Sequence, residues 1–393
     1  RHHGRVRRVS PLYSLLNEKD AIHNVVAGFE KPLWFKTETI QSEELTWTRT
    51  NAHHAIADEC KSVQNDVGVI DISGSSKFMV SGKDANKFLN FLSCNKLPQK
   101  IGAIGLTLFH SHRGGIMTEQ SITKINDDTY YLVGPILSEN RDLDWMQSHA
   151  KNFKVKIENQ TETTSSLLVT GPKSRELLQK IMKNDLSNSS LPWLRSKKML
   201  VDSAQVRVMR VSYAGELGFE LHMPSYQLLS IYQSLFRVGK EMGLRDFGGY
   251  AFNSLRMEKM YRAWGSEFTE EISGLEAGME KFININREFI GSDNLKKRMK
   301  KDLDVVLVYL VFDDDIQSEC YGNEAVFYGD DLIGLTTSGA YGFRIKKSLA
   351  FAYIKPAFAN QGQKLKVLTA SGMRLCHIEI SAAYDPENEK LRA

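Results

Sequence analysis

The chain has 393 residues, more than a single hydrophobic core usually fills, so two or three domains are expected. Hydrophobic residues make up 42% of the sequence and charged residues 25%, which is ordinary for a soluble globular protein. No segment approaches the roughly 20 uninterrupted apolar residues that cross a bilayer, so no membrane-spanning segment is expected. The first residue is Arg1 rather than Met, so we expect the sequence to be a trimmed part of a longer chain.

The formal net charge is +4, and basic residues cluster in two runs. The first contains Arg1, Arg5, Arg7 and Arg8, and the second spans 296–301. Neither run has the interleaved aromatic residues with which nucleic-acid binders stack on bases, so we expect solvated helix faces or linkers and no nucleic-acid partner. The four cysteines form no C-x-x-C pair, which argues against a zinc knuckle or a disulfide framework.

The first unit along the chain, residues 1–48, is basic and aromatic, and we expect it to pack its aromatic rings on a neighbouring domain. From residue 49 the pattern is mixed helix and strand. Short runs rich in β-branched and aromatic residues predict strands at 68–73 and 77–81. The run at 83–92, with an acidic residue in its first turn, predicts a helix.

A second strand and helix are predicted at 166–170 and 173–182. Residues 225–243 carry apolar side chains at near-helical spacing and end at a glycine, which predicts one amphipathic helix. After the second basic run, alternating apolar residues and glycine-marked turns predict a small β-rich domain to the end of the chain. The expected units are residues 1–48, 49–294 and 302–393.

Three motifs have the composition of a site rather than of a core. The run Val211-Ser-Tyr-Ala-Gly-Glu-Leu-Gly-Phe-Glu220 places two carboxylates, an aromatic hydroxyl and two glycines within ten residues. Arg113-Gly-Gly-Ile-Met-Thr-Glu119 adds a carboxylate after a double glycine, which lets backbone approach a ligand closely. Ser254-Leu-Arg-Met-Glu-Lys259 adds an arginine beside a glutamate.

Seven motifs in a fixed order make a chance match improbable, although each is weak alone. They lie at 68–73, 80–85, 113–116, 213–220, 254–258, 275–278 and 289–291. In this order they resemble the folate-binding aminomethyltransferase family, that of the glycine-cleavage T-protein and of the carboxyl-terminal half of dimethylglycine and sarcosine dehydrogenases. The resemblance implies an α+β, multidomain T-protein-like fold that ends in a β-barrel, with tetrahydrofolate as the cofactor.

The resemblance also implies roles for three side chains. A pterin ring presents an edge of N–H donors, and a carboxylate can pair with it through both oxygens, which is the role expected of Glu220. Tyr213 is expected near the folate and the reacting centre. Glu119 is expected to hydrogen-bond to the folate N10 or to act as a base, although relatives often have an aspartate there and glutamate reaches further. The alternatives are that Glu119 and Glu220 occupy solvent-exposed positions on strands and that Tyr213 is a core aromatic residue.

Three further residues are weaker candidates. Ser121 is expected to give a supporting hydrogen bond. Arg256 and Arg262 are expected to pair with carboxylates of the folate tail or of the substrate, a task that suits guanidinium groups. An internal ion pair between Arg256 and Glu258 is the alternative.

The sequence predicts neither a metal site nor a flavin site. His110 and His112 alternate on a predicted strand and point the same way, but no third ligand stands at a telling spacing, so no metal site is predicted. No G-x-G-x-x-G follows an opening strand, so this chain alone is expected to bind no flavin through that motif.

The function implied by the resemblance is tetrahydrofolate-dependent one-carbon transfer from an N-methylated amine, such as sarcosine or dimethylglycine, to give methylenetetrahydrofolate. A flavoprotein oxidase half or subunit is the expected partner, in the mitochondrial matrix for a eukaryotic chain and in the cytoplasm otherwise. One alternative is direct methyl transfer to tetrahydrofolate from a sulfonium or ammonium donor. Another is a non-catalytic folate-binding or regulatory subunit of an oxidase or phosphatase complex, because the regulatory subunit of pyruvate dehydrogenase phosphatase is similar.

Overall fold

A computed structural model describes residues 4–44 and 46–393. Arg1 of the first basic run therefore lies outside the described residues. In the same run Arg5 pairs with Glu30, and Arg8 pairs with Glu139 at 2.8 Å, so these two arginines hold the start of the chain to the body of the protein. No helix in the described part of the chain is long and apolar enough to cross a bilayer.

Helices and strands are mixed along the chain as far as α8, and strands dominate beyond it. The helices are α1 (Tyr13–Glu18), α2 (His53–Asn65), α3 (Ala85–Leu92), α4 (Glu139–His149), α5 (Ser174–Gln179), α6 (Leu228–Gly239), α7 (Gly249–Glu258), α8 (Ser292–Arg298) and α9 (Glu389–Arg392). The strands are β1 (Ala21–Val26), β2 (Phe29–Phe35), β3 (Val67–Asp71), β4 (Ser76–Ser81), β5 (Ile104–His110), β6 (Ile116–Asn126), β7 (Thr129–Gly134), β8 (Lys156–Asn159), β9 (Thr164–Thr170), β10 (Ser196–Val201), β11 (Ala204–Met209), β12 (Gly218–Pro224), β13 (Leu244–Asp246), β14 (Val306–Phe312), β15 (Ala325–Tyr328), β16 (Asp331–Gly342), β17 (Lys347–Ile354), β18 (Lys364–Thr369) and β19 (Gly372–Glu379).

The first helix and hairpin are part of the packed interior. Strands β1 and β2 pair antiparallel. Trp34 of β2 is fully buried in a cluster with Ala52 and Ala55 at the start of α2. Leu12 and Leu16 join the largest core cluster of the protein. The apolar residues of this segment therefore pack against later parts of the chain.

A six-stranded sheet forms the centre of the first core, in the order β10-β11-β12-β9-β3-β13. The predicted strands at 68–73 and 166–170 are β3 and β9, which pair antiparallel. Alternate side chains of the sheet, among them Val208 of β11 and Leu221 of β12, pack on α5 and α6. The predicted amphipathic helix is α6 with a short 3-10 turn at each end, and it stops at Gly243 with φ of +83°, where glycine carries no Cβ penalty.

A five-stranded antiparallel sheet follows the order β5-β6-β7-β4-β8. The predicted strand at 77–81 is β4, and the predicted helix at 83–92 is α3. Phe78 and Val80 of β4 pack with Phe88 and Leu89 of α3, and α4 covers the same face. One face of this sheet is thus buried under helices, which leaves its other face for a different partner.

Strands β14 to β19 close into a barrel in the order β14-β17-β16-β15-β18-β19. The expected α+β fold with a β-rich end is therefore confirmed. The barrel is attached to α7 by side chains of that helix. Asn253 donates to the Gly339 carbonyl at 3.2 Å, and Ser254 donates to the Tyr341 carbonyl at 2.5 Å. Residues of α7 and of β16 are thus held in fixed relative positions.

One buried histidine gives this fold a pH dependence. His110, at the end of β5, is fully buried, and neither ring nitrogen has a hydrogen-bond partner in the described part of the chain. Burial lowers its pKa from 6.5 to about 3, and the nearby charge of Arg298 adds to this effect. The folded state therefore keeps this imidazole neutral, whereas the unfolded chain takes up a proton below about pH 6.5.

We predict that the free energy of unfolding falls as pH decreases below about 6.5, because the unfolded state then binds more protons. His110 should contribute roughly 2 kcal/mol of this fall between about pH 6.5 and pH 5. Urea denaturation of a His110→Leu variant should therefore show a weaker pH dependence than the native chain. His54→Leu, at an exposed position, should leave the dependence unchanged. The same pH dependence in His110→Leu and in the native chain would contradict the prediction.

Candidate functional site

The uncovered face of the five-stranded sheet packs on the β10–β12 end of the six-stranded sheet. Ile104, Tyr131 and Met209 form a buried cluster there, contributed by β5, β7 and β11. The Tyr131 hydroxyl also contacts Nδ1 of His222 in β12 at 3.0 Å. The two sheets therefore face each other over this region.

Strand alternation turns Glu119 and Ser121 toward the six-stranded sheet. Their neighbours in β6, Thr118 and Gln120, hydrogen-bond at 2.9 Å to the Asp142 carboxylate of α4, on the helix-covered face. Because successive side chains of a strand point to opposite faces, Glu119 and Ser121 point away from α4.

The same alternation places Glu220 opposite them. Phe219 and Leu221, its neighbours in β12, belong to the core under α5 and α6. Glu220 therefore points to the other face, where His222 meets Tyr131. The sequence motifs at 113–119 and 211–220 thus direct their carboxylates into the region between the sheets.

Several residues on the inner faces of the two sheets remain partly accessible. Ser121, Val133, Val211 and Glu220 all lie on the inner faces, yet each is half-buried rather than buried. We call the partly accessible region between the two sheets, bordered by these residues, the inter-sheet hollow.

Glu119 and Tyr213 lie within electrostatic reach of each other. The accessible surface of Glu119 is that of a half-buried residue, but burial raises its pKa to about 8, with the charge of Glu267 adding to the rise and that of Arg256 opposing it. Tyr213, in the loop before β12, donates its hydroxyl to the Arg262 carbonyl at 2.5 Å. Burial raises the pKa of Tyr213, and the charge of Glu119 adds to the rise.

Glu220 lies in a second group of polar residues. Its Oε2 atom accepts a hydrogen bond from Nε2 of His222 at 2.9 Å, and 17% of its side chain remains accessible. Lys77 of β4 is fully buried, and its Nζ donates to the carbonyls of Ser73 and Ser75. Burial lowers the Lys77 pKa to about 7, against the opposing charges of Asp71 and Glu220.

Sequence reasoning missed three residues of this group: Lys77, Tyr131 and His222. A signal existed for two of them. His222 follows Glu220 by two residues, which places both on one face of a strand. The charged residue Lys77 directly precedes the apolar residues Phe78, Met79 and Val80 in β4. Tyr131 gave no signal, because its partner His222 is 91 residues away.

The two weaker candidates Ser121 and Arg262 have partners within the protein. The Ser121 hydroxyl donates to the Val133 carbonyl at 3.3 Å. Nε of Arg262 donates to the Ala277 carbonyl at 2.9 Å, and burial lowers the pKa of this guanidinium. Both residues are half-buried, and their roles as ligands stay predictions.

Arg256 makes internal bonds. Its Nη1 lies 3.1 Å from the carboxylate of Glu267, and the two side chains are 4% and 0% accessible. Nη2 donates to the Ser338 hydroxyl at 2.9 Å. The internal ion pair considered for Arg256 therefore exists, but its partner is Glu267 and not Glu258, which instead accepts the Arg344 backbone N–H. We do not retain Arg256 as a folate ligand, because its guanidinium is already paired inside the protein.

The double glycine before Glu119 serves the protein itself. A Cβ atom on Gly115 would lie 1.7 Å from the carbonyl oxygen of Glu270, so only glycine lets these backbones meet. The expectation that this pair of glycines admits a ligand was wrong at Gly115.

The histidines at 110 and 112 do not share a face. Strand β5 ends at His110, which is buried, whereas His112 is exposed and its Nε2 lies 3.3 Å from Nε2 of His149. The expectation that the two side chains point the same way was therefore wrong. In the described part of the chain, no group of three or more His, Cys, Asp or Glu side chains is arranged to hold a metal ion.

The fold and site define a T-protein class of protein, and comparison with known proteins agrees. Residues 12–287 match the GCVT N-terminal domain, and residues 306–385 match the glycine cleavage T-protein C-terminal barrel domain. The chain belongs to the glycine cleavage T-protein family, as its motifs indicated. The crystal structure of glycine cleavage system aminomethyltransferase T from Bartonella henselae has a TM-score of 0.84 over 96% of this chain and 98% of that chain. Its sequence identity is 19%, so it shows a shared fold.

Three curated relatives are similar in sequence. Mitochondrial dimethylglycine dehydrogenase of Mus musculus is 37% identical over 367 residues, 92% of this chain and 42% of the relative. Aminomethyltransferase of Caldanaerobacter subterraneus is 30% identical over 82% of this chain and 86% of the relative. The mitochondrial pyruvate dehydrogenase phosphatase regulatory subunit of Mus musculus is 27% identical over 93% of this chain and 43% of the relative. The chain thus spans less than half the length of the dimethylglycine dehydrogenase it matches.

We predict that Arg256→Met destabilises the protein by about 3–5 kcal/mol, because it leaves the Glu267 carboxylate buried without its cation. Urea denaturation measures the change. Arg237→Met removes an exposed pair with Asp202, whose side chains are 62% and 48% accessible, and should cost less than about 1 kcal/mol. Equal losses of unfolding free energy in the two variants would contradict the prediction that the buried ion pair matters more than the exposed one.

Proposed function

We propose that this chain binds tetrahydrofolate in the inter-sheet hollow and takes part in one-carbon transfer from an N-methylated amine, such as sarcosine or dimethylglycine, to give methylenetetrahydrofolate. The observation that carries the proposal is that Glu119 and Glu220 point from facing sheets into the region between them, with Tyr213 within electrostatic reach of Glu119. Family membership and the similarity to aminomethyltransferase and dimethylglycine dehydrogenase support it. We assign oxidation of the amine to a flavoprotein half or subunit outside this sequence.

The chemistry of Glu220 fits a pterin ring. An ionised carboxylate offers only acceptors, and the edge of the ring that it would meet offers N–H donors. One oxygen of Glu220 already accepts from His222, but each carboxylate oxygen has capacity for a second hydrogen bond. Part of the side chain remains accessible, so a ligand can reach it.

Glu119 is placed to handle a proton. Bound tetrahydrofolate would supply the N5 and N10 nitrogens that receive the carbon. A carboxyl group with a pKa of about 8 is protonated in most molecules at neutral pH and can still exchange its proton readily. We propose that Glu119 holds or takes the proton at N10, while Tyr213 borders the same end of the hollow. Ser121 and Arg262 are proposed as supporting ligands.

Two variants of the proposal use the same fold. Direct methyl transfer from a sulfonium or ammonium donor would need the same folate site. A regulatory function without turnover is favoured by the similarity to the pyruvate dehydrogenase phosphatase regulatory subunit. For a eukaryotic source we propose the mitochondrial matrix, because the similar dimethylglycine dehydrogenases of mouse, rat and human are named as mitochondrial proteins.

We predict that Glu220→Gln weakens tetrahydrofolate binding about 10- to 100-fold, measured by isothermal titration calorimetry. The substitution replaces one acceptor oxygen with an N–H₂ donor and removes the charge, and hydrogen bonds to charged groups contribute about 1.5–3 kcal/mol. Glu158→Gln, in the edge strand β8, is the matched control and should bind as the native chain does. Absence of tetrahydrofolate binding by the native chain would remove the folate-dependent enzyme from consideration.

We predict that Glu119→Gln slows capture of formaldehyde by bound tetrahydrofolate by roughly 10²- to 10⁴-fold after the uncatalysed reaction is subtracted. Because the ionised carboxylate is the base, kcat/KM for the native chain should rise as pH increases through about 8, and the variant should lose this rise. Glu119→Asp should recover part of the rate. An unchanged rate in Glu119→Gln would remove Glu119 from the mechanism, and a chain that binds folate without any capture would favour the regulatory function.

A further inference from the structure

A chain of three side chains runs behind the hollow. The Glu220 carboxylate contacts Nε2 of His222 at 2.9 Å, and Nδ1 of the same ring contacts the Tyr131 hydroxyl at 3.0 Å. Glu220 and His222 belong to β12 of the six-stranded sheet, whereas Tyr131 belongs to β7 of the five-stranded sheet. The chain of hydrogen bonds therefore crosses from one sheet to the other.

The direction of each hydrogen bond follows from what the groups can donate. An ionised Glu220 has no proton, so Nε2 of His222 must carry the hydrogen. In a neutral imidazole the other nitrogen is then an acceptor, so the Tyr131 hydroxyl must donate to Nδ1. The phenol thus selects one tautomer of His222, and this tautomer is the one that donates to Glu220.

The environment keeps this arrangement. His222 is 3% accessible and Tyr131 is 2% accessible, so water does not compete for their hydrogen bonds. Burial lowers the pKa of His222, with Glu220 opposing the change, and burial raises the pKa of Tyr131. Arg207 lies over the Tyr131 ring, 5.9 Å from its centre, and its charge also disfavours an imidazolium at His222. The neutral ring and the protonated phenol are therefore the stable forms.

We propose that His222 and Tyr131 are positioning residues that fix the Glu220 carboxylate for recognition of the donor edge of a pterin. This inference rests on the proposed function. Neither residue needs to touch the ligand. Each acts by limiting the rotation of Glu220, which lowers the entropy that binding must remove.

The chain of bonds also relates the two ends of the hollow. Tyr131 in β7 is paired in register with Thr123 of β6, the strand that carries Glu119 and Ser121. A bond from Tyr131 to His222 therefore sets the position of Glu220 relative to these two residues. A ligand held at one end by Glu220 then presents its other end to Glu119 at a defined distance.

The first experiment determines the tautomer without any ligand. The nitrogen chemical shifts of His222 in protein labelled with ¹⁵N-histidine should show hydrogen on Nε2 and a lone pair on Nδ1. Tyr131→Phe should shift this population toward a mixture of tautomers. Tyr130→Phe is the matched control, because Tyr130 is a buried neighbour that hydrogen-bonds to Asn86 instead. Hydrogen on Nδ1 in the native chain, or no response to Tyr131→Phe, would overturn the inference.

The second experiment measures tetrahydrofolate affinity by calorimetry. His222→Leu, which fills the site without a donor, should bind at least tenfold more weakly, and Tyr131→Phe about three- to tenfold more weakly. His222→Gln supplies an amide N–H toward Glu220 and should recover most of the affinity. Tyr130→Phe should bind as the native chain does. Thermal unfolding of each variant confirms that it is folded.

The outcomes separate the two claims. If the native chain binds tetrahydrofolate and His222→Leu and Tyr131→Phe bind equally well, the positioning role is wrong and the proposed function stands. If His222→Gln and His222→Leu weaken binding equally, residue 222 does not act by donating a hydrogen bond to Glu220, and the positioning role is again wrong. If the native chain does not bind tetrahydrofolate, the proposed function fails and the named ligand fails with it, while the tautomer measurement still decides the hydrogen-bond chain.

Discussion

The buried ion pair between Arg256 and Glu267 is the contact on which the site depends. Glu267 is fully buried, and its carboxylate accepts from Arg256, from the Ala263 backbone and from the hydroxyls of Thr337 and Ser338 in the barrel strand β16. A charge without water must be compensated in this way. The pair therefore ties α7, the loop after it and the barrel together, and its two charges act in opposite directions on the pKa of Glu119.

The two candidate carboxylates stand in different environments, and this difference separates their roles. Glu119 is surrounded by protein near a second carboxylate, so its neutral form gains stability and the residue becomes an exchanger of protons. Glu220 instead accepts a hydrogen bond from His222 and lies near the amine of Lys77. The two environments therefore fit the two proposed roles, proton transfer at Glu119 and recognition of N–H donors at Glu220.

Local pattern was enough to predict the strands β3, β4 and β9, the helices α3 and α6 and the β-rich end, because strand alternation and helical periodicity are properties of neighbouring residues. The motifs also singled out Glu119, Tyr213 and Glu220; the fold turns Glu119 and Glu220 toward the facing sides of the two sheets, and the roles of all three stay predictions. Contacts between distant residues were not predictable in this way. The partner of Arg256, the close approach at Gly115 and the link from Tyr131 to His222 depend on how layers meet, which no periodicity encodes.

Closure of β14 to β19 has a consequence for assembly. An open sheet presents unpaired backbone groups at its edge, where another chain can add a strand, but a cylinder of paired strands presents none. A partner chain therefore finds no free edge on this barrel at which to extend a sheet. Any docking there has to use side chains or the loops at the rims, so substitutions on the outer wall would change recognition without altering how the strands are paired.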